Sequence, residues 1–194
     1  HRAGRFEEAL QIIGPLLRRG QVDFAGRYHE ARECELRPRG PRPTGPPILI
    51  AGTGPQMLRL AARHADLYNH WLLFRIEEGR FVPRPNHPDD LAPDRAAVDA
   101  ACVEVGRVPA SLGRTAGVLV LPHAEGVAPT AIVTGGLTPL TGSPAVLAAA
   151  LRGFAREGIT HVQLSLRPNS LAGIEAFAPT LALLDRGEDD EERT

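Results

Sequence analysis

The stretch Pro47-Ile48-Leu49-Ile50-Ala51-Gly52-Thr53-Gly54-Pro55-Gln56-Met57-Leu58-Arg59-Leu60-Ala61-Ala62-Arg63-His64 decides the fold. An apolar run, Ile48 to Ala51, stops at a glycine turn and restarts with apolar residues at helical spacing, the pattern of a strand feeding a helix. Pro55 sits where the helix begins, a position in which its missing N–H costs nothing. The N–H groups of Gly52, Thr53, Gly54, Gln56 and Met57, with the positive end of the helix dipole, make the turn a candidate grip for a phosphate. The turn lacks the full GxGxxG of a dinucleotide fold and the lysine of a P-loop, so local pattern alone also fits an ordinary strand-to-helix connection.

The same alternation repeats downstream. Strands are expected over 48–51, 66–71, 115–121 and 161–166, and helices over 55–64, 94–106, 144–157 and 171–184. Ile48-Leu49-Ile50 and Gly117-Val118-Leu119-Val120-Leu121 are near-continuous apolar runs, as in strands covered on both faces of a parallel sheet. Ser143-Pro144 and Asn169-Ser170 supply helix starts. Upstream, Phe6, Ala9, Leu10, Ile13, Leu16 and Leu17 predict an amphipathic helix over 5–19 that ends near Gly20, with a kink expected at Pro15. The segment 21–46 reads as a long excursion with a short hairpin around Gly26, ending in the irregular, proline-rich PRGPRPTGPP. The run of βα units fits either an open doubly wound sheet or part of a (β/α)8 barrel. A complete barrel takes about 250 residues, so four units in a 194-residue chain correspond to half of one.

Composition narrows the function classes. The chain is 43% hydrophobic and 23% charged, enough apolar material for a sizeable core, and its net charge of −1 offers no broad field for nucleic acid or an anionic membrane. No apolar run approaches the roughly 18 residues of a membrane span, and no signal-peptide pattern follows His1, so a cytoplasmic protein is expected. Cys34 and Cys102 stand apart with no metal-ligand spacing, and His29, His64, His87, His123 and His161 show none either; no metal is expected. Glu7 and Glu8 read as exposed or first-turn acids of the first helix. The charged end 187–194 reads as a disordered acidic tail.

An ordered set of motifs carries a resemblance to a known family: Arg5-Phe6-Glu7-Glu8-Ala9-Leu10, Phe24-x-Gly26-Arg27-Tyr28, Pro46-Pro47-Ile48-Leu49-Ile50-x-Gly52-x-Gly54, Leu60-Ala61-Ala62-Arg63-x-Ala65-Asp66-x-x-Asn69, and later Gly142-Ser143-Pro144-x-Val146. Together these resemble the luciferase-like monooxygenases, the flavin- and coenzyme F420-dependent barrel oxidoreductases, with the F420-dependent branch most similar. The resemblance implies an α/β fold, the C-terminal half of a (β/α)8 TIM barrel, with residues 1–186 a partial barrel domain whose first half is absent. It implies F420, or alternatively FMN, as cofactor, with hydride transfer or monooxygenation of a small organic substrate. Gly52, Thr53, Gly54 and Asn69 map onto cofactor-binding positions, while His70 and Trp71, at the C-terminal end of their strand, map onto positions facing the ring or the substrate. The usual catalytic histidine belongs to the missing units, so no catalytic residue is assigned. The contrasting reading is a non-catalytic half-barrel or phosphate-binding module, whose open sheet edges would favour a homo-oligomer.

Overall fold

The structure is a computed structural model that describes residues 1–72, 74–83, 86–122 and 137–186. Within these the chain forms two compact units, one of residues 1–68 with 97–113 and one running from Asn69 to Ala96 and onward from Arg114. The charged tail and His123 lie outside the described residues.

The first unit opens with helix α1 (Arg2–Arg19), continuous through Pro15 and closed by Gly20 at φ 83°, a left-handed conformation suited to glycine. A hairpin follows, β1 (Gln21–Ala25) antiparallel to β2 (Glu30–Glu35), so the turn around Gly26 is a true hairpin turn. The exposed-acid reading of Glu8 is corrected here. The Glu8 carboxylate leaves the helix to accept the backbone N–H groups of Arg27, Tyr28 and His29, each at 2.8 Å. Partial burial alone would push this carboxyl up, but the three N–H donors and the nearby His29 imidazole outweigh it and hold Glu8 below its ordinary value of 4.5.

A depressed folded-state pKa stabilises the fold above the unfolded value, and that contribution fades as pH falls through the folded value. Amide exchange at Arg27, Tyr28 and His29 is therefore expected to accelerate as pH drops below about 4.5, once intrinsic exchange rates are factored out. In Glu8→Gln the same amides should be poorly protected at neutral pH and lose the acid dependence; unchanged protection in that variant would remove Glu8 from the turn.

Strand β3 (Leu49–Ala51) leads into α2 (Pro55–His64), whose bounds match the sequence reading, and β4 (Leu67–Trp71) follows. Leu10, Ile50, Leu58, Leu60, Ala61, Tyr68, Val98 and Leu112 form the first unit's core. Asp66 organises the entry to this core: its carboxylate accepts the Ile48 N–H at 2.6 Å and pairs with the Arg18 guanidinium, which also donates to the carbonyls of Thr44 and Pro46. The end of α1 and the irregular 37–46 segment are thereby pinned to the start of β3.

The remaining elements are a second hairpin, β5 (Phe74–Glu77) with β6 (Arg80–Pro83), then α3 (Ala92–Glu104), β7 (Gly113–Pro122), β8 (Leu140–Gly142), α4 (Pro144–Arg156), β9 (His161–Leu166) and α5 (Leu171–Asp185). The strand order is β3-β4-β7-β8, with β9 also on β7, and β8 and β9 both run parallel to β7. The hairpin 74–83 and the short strand β8 add to the four strands expected. Ser143 and Ser170 cap α4 and α5 by accepting the N–H groups of Val146 and Gly173.

The second unit's core sets the direction of its sheet. Leu72, Ala116, Val118 and Val120 cluster with Leu147, Leu151, Phe154 and Phe177 of α4 and α5, and Val162, Leu164 and Leu166 of β9 join them. Side chains alternate along a strand, so Thr115, Gly117, Gln163 and Ser165 lie on the opposite face, away from these helices. This is the layering of an α/β barrel segment, in which one sheet face packs under helices and the other is left for the interior.

Candidate functional site

Two places carry the residues singled out by sequence. In the first unit, β3 is followed by Gly52, whose φ of 142° is open to glycine and strained for other residues. A Cβ there would come within 3.1 Å of the Met57 side chain, so the chain must be bare at this point for α2 to turn back over it. The Tyr68 hydroxyl donates to the Gly52 carbonyl at 2.9 Å, bracing the turn from the adjacent strand. The sequence offered only an aromatic residue in a strand at position 68, and nothing in its spacing pointed to this role.

Gly54 is the residue before α2, with φ −72° and ψ 148°, and contributes no side chain to cap the helix. Its carbonyl receives the Leu58 N–H, the first bond of the helical ladder, so the N–H groups of Gln56 and Met57 are the helix's terminal donors. A Cβ on Gly54 would meet nothing within 4 Å, and the first turn of α2 contains no acidic residue. Where α4 and α5 fill this position with a serine hydroxyl, α2 presents open backbone.

In the second unit, Asn69, His70 and Trp71 are consecutive on β4, but only two of them share a face. The Thr115 hydroxyl donates to Asn69 Oδ1 at 2.8 Å, and the Trp71 ring lies against Gly117, where a Cβ would come within 3.0 Å of it. Both neighbours are on the interior face of β7. Asn69 is 7% exposed and Trp71 is 38% exposed. His70 alternates to the other side, that of Leu72 and the helices, and is 1% exposed. A position near the strand end is not sufficient to face a ligand; the pleat sends His70 away from the face that holds Asn69 and Trp71.

The other described histidines occupy structural or surface settings. His87 accepts the Asp89 N–H at the start of a short turn, and burial pushes the His64 imidazole below its ordinary value, opposed by Glu7 and assisted by Arg63. Among the described residues no group of three His, Cys, Asp or Glu side chains is arranged to hold a metal ion, and no helix is long and apolar enough to cross a membrane.

Residues 1–84 match the family model described as luciferase-like monooxygenase. No curated protein matches the chain. Among solved structures, the chain is similar to a coenzyme F420-dependent tetrahydromethanopterin reductase from Methanopyrus kandleri, with 14% identity and a TM-score of 0.65 over 91% of this chain and 61% of that one. It is similar to an F420-dependent secondary alcohol dehydrogenase in complex with an F420-acetone adduct, with 15% identity and a TM-score of 0.67 over 94% and 62%. It also resembles a riboflavin lyase with modified FMN and riboflavin, with 14% identity and a TM-score of 0.61 over 86% and 48%. The chain thus spans about three fifths of the length of the first two of these structures. At these identities the likeness establishes the fold alone, that of part of an α/β barrel. Residues 1–84 thus resemble the luciferase-like monooxygenases in sequence, and the chain shares its α/β fold with the two F420-dependent enzymes named above.

Proposed function

We propose that this chain is part of an F420- or FMN-dependent oxidoreductase, with F420 preferred, and that the Gly52-Thr53-Gly54 turn holds the cofactor's phosphate. The observation that carries the reading is the uncapped start of α2: bare backbone at Gly54, orphan N–H donors at Gln56 and Met57, and no acid in the first turn. These features fit an anion, and among the described residues nothing lies within 4 Å of a Cβ built on Gly54. The match of residues 1–84 to the luciferase-like monooxygenases and the F420 and FMN in the neighbours' descriptions support the choice of cofactor.

When bound, the cofactor's ring supplies the redox chemistry, hydride transfer with F420 or oxygen activation with FMN. The protein's part is binding and orientation. The backbone donors after Gly52 would hold the phosphate end, and the Tyr68 hydroxyl braces that turn by donating to the Gly52 carbonyl. The substrate is a small organic molecule.

The test is a fluorescence titration with F420, FMN and riboflavin, the last of which lacks the phosphate. FMN or F420 should saturate the chain at micromolar concentration, and FMN should bind at least about tenfold more tightly than riboflavin because the charge-assisted bonds are lost without the phosphate. Failure of both F420 and FMN to bind would overturn the oxidoreductase reading, and equal affinity for FMN and riboflavin would remove the turn from the site.

A further inference from the structure

Between the end of α1 and the irregular segment that leads into β3, the first unit holds a cleft of about 200 Å³. Its walls are largely apolar: Leu17 comes from α1, and Leu36, Pro41 and Pro46 from the segment. Arg39 and Arg42 also line it, and no acidic residue does. Two close approaches shape the cleft. A Cβ at Gly20 would run into the Arg39 guanidinium, and one at Gly45, where φ is 69°, would come within 2.7 Å of the Leu17 carbonyl oxygen. The segment is also tied to α1 from Arg18, which donates to the carbonyls of Thr44 and Pro46 while paired with Asp66.

The two guanidiniums at the cleft lack the counter-charge that neighbouring arginines have. In the same unit Arg18 pairs with Asp66, Arg32 with Glu30, Arg37 with Glu35 and Arg63 with Glu7. Arg39 instead donates from Nη2 to the carbonyls of Arg18 and Pro43, at 3.3 and 3.0 Å, which fixes the group and leaves its Nε and Nη1 donors over. Arg42 makes no ion pair or side-chain hydrogen bond among the described residues; only its carbonyl is used, by the Gly45 N–H at 3.0 Å. A planar fork of N–H donors matches the two oxygens of a carboxylate. We infer that this cleft binds a small organic carboxylate with a compact apolar body: Leu17, Leu36 and the two prolines cover the body, Arg42 pairs with the carboxylate, and Arg39 supplies a second, pre-positioned set of donors. Volume sets the size class. The cleft is smaller than the roughly 300–1,000 Å³ of pockets for drug-sized ligands, so a single ring or a short branched chain fills it. An uncharged ring forfeits the ion pair, and a bare anion gains nothing from the apolar walls. The inference does not rest on the cofactor reading, because the cleft lies ahead of β3, the Gly52 turn follows β3, and the two share no residue.

The probe is benzoate, compared with benzamide, the uncharged ring of the same shape, and with acetate, the charge without the ring. Titration of the chain, followed by backbone amide NMR, is expected to give saturable benzoate shifts at Leu36, Gly40 and Gly45, with a rise in melting temperature. Benzamide and acetate should each bind at least about tenfold more weakly, the first for want of charge-assisted bonds and the second for want of apolar contact. Arg42→Gln should weaken benzoate about tenfold and leave benzamide unchanged. Arg42 is exposed and its side chain makes no bond among the described residues, so this variant should melt as the parent does. Arg42→Glu should abolish benzoate binding, and saturating FMN should leave benzoate in place. Equal affinity for acetate and benzoate would reduce the cleft to a surface guanidinium and overturn the inference. So would the absence of saturable shifts at Leu36, Gly40 and Gly45, an Arg42→Gln variant that binds benzoate as before, or displacement of benzoate by FMN. A chain that binds benzoate in this way but neither F420 nor FMN would keep this site while losing the cofactor reading.

Discussion

Phe154→Ala is expected to destabilise the second unit by about 3–5 kcal/mol, the range for emptying a buried phenylalanine site. Phe154 is 0% exposed, on the inner side of α4, where it joins Leu72, Val118, Val120, Leu147 and Phe177. The backbone has little freedom to close the cavity. On one side it is β7, hydrogen-bonded to β8 and β9; on the other, the Phe154 carbonyl already accepts the Ile159 N–H at 3.0 Å at the end of α4. Domains are stable by only about 5–15 kcal/mol, so the loss consumes a large share of the margin. Chemical denaturation read by exchange of the β7, β8 and β9 amides would measure it. Val103→Ala is the matched control, because Val103 is 67% exposed and a surface truncation is expected to stay within about 0.5 kcal/mol. Equal losses in the two variants would show that Phe154 is not at the centre of this core.

The same core shows which parts of the fold can be read in the sequence. Strands and helices that bury an apolar surface announce themselves: Pro55 at the first position of α2 and Ser143-Pro144 before α4 mark starts that the structure reproduces. Contacts made at long range do not. Nothing in the spacing of Glu8 foretold that its carboxylate would gather three N–H groups about twenty residues away, or that Asp66 would tie Arg18 to Ile48. The hairpin 74–83 escaped because its two-residue turn is Glu78-Gly79, with φ of 49° and 79°; the usual signal for such a turn is Asn-Gly or Asp-Gly. At the candidate site the limit was the pleat. The continuous apolar run 117–121 conceals which side of β7 is covered, whereas the alternation Val162, Gln163, Leu164, Ser165, Leu166 separates the helix-facing side from the interior. Applied to β4, that alternation places Asn69 with Trp71 and sends His70 to the helices.

Gly54→Asp is expected to move stability and ligand binding in opposite directions. At the residue before α2 an aspartate can accept the N–H groups of Gln56 and Met57 and places a negative charge at the positive end of the helix dipole, so α2 should gain a few tenths to about 1 kcal/mol. The glycine's φ and ψ already lie in the extended region open to any residue, and a Cβ there meets nothing within 4 Å, so no strain offsets the gain. The same carboxylate occupies the donors offered to the phosphate and repels it, which should weaken FMN on the order of a hundredfold while leaving riboflavin nearly unchanged. Gly54→Val separates bulk from charge: it supplies no cap, intrudes on the approach to the backbone, and should weaken FMN without raising the melting temperature. Gly52→Val is different in kind, because a β-branched residue at φ 142° is strained by about 1–3 kcal/mol and collides with Met57, so it should lower stability as well as binding. Melting temperatures and FMN-against-riboflavin affinities for the three variants decide the matter. A more stable Gly54→Asp that still prefers FMN would mean that the donors at the start of α2 are not where the phosphate is held.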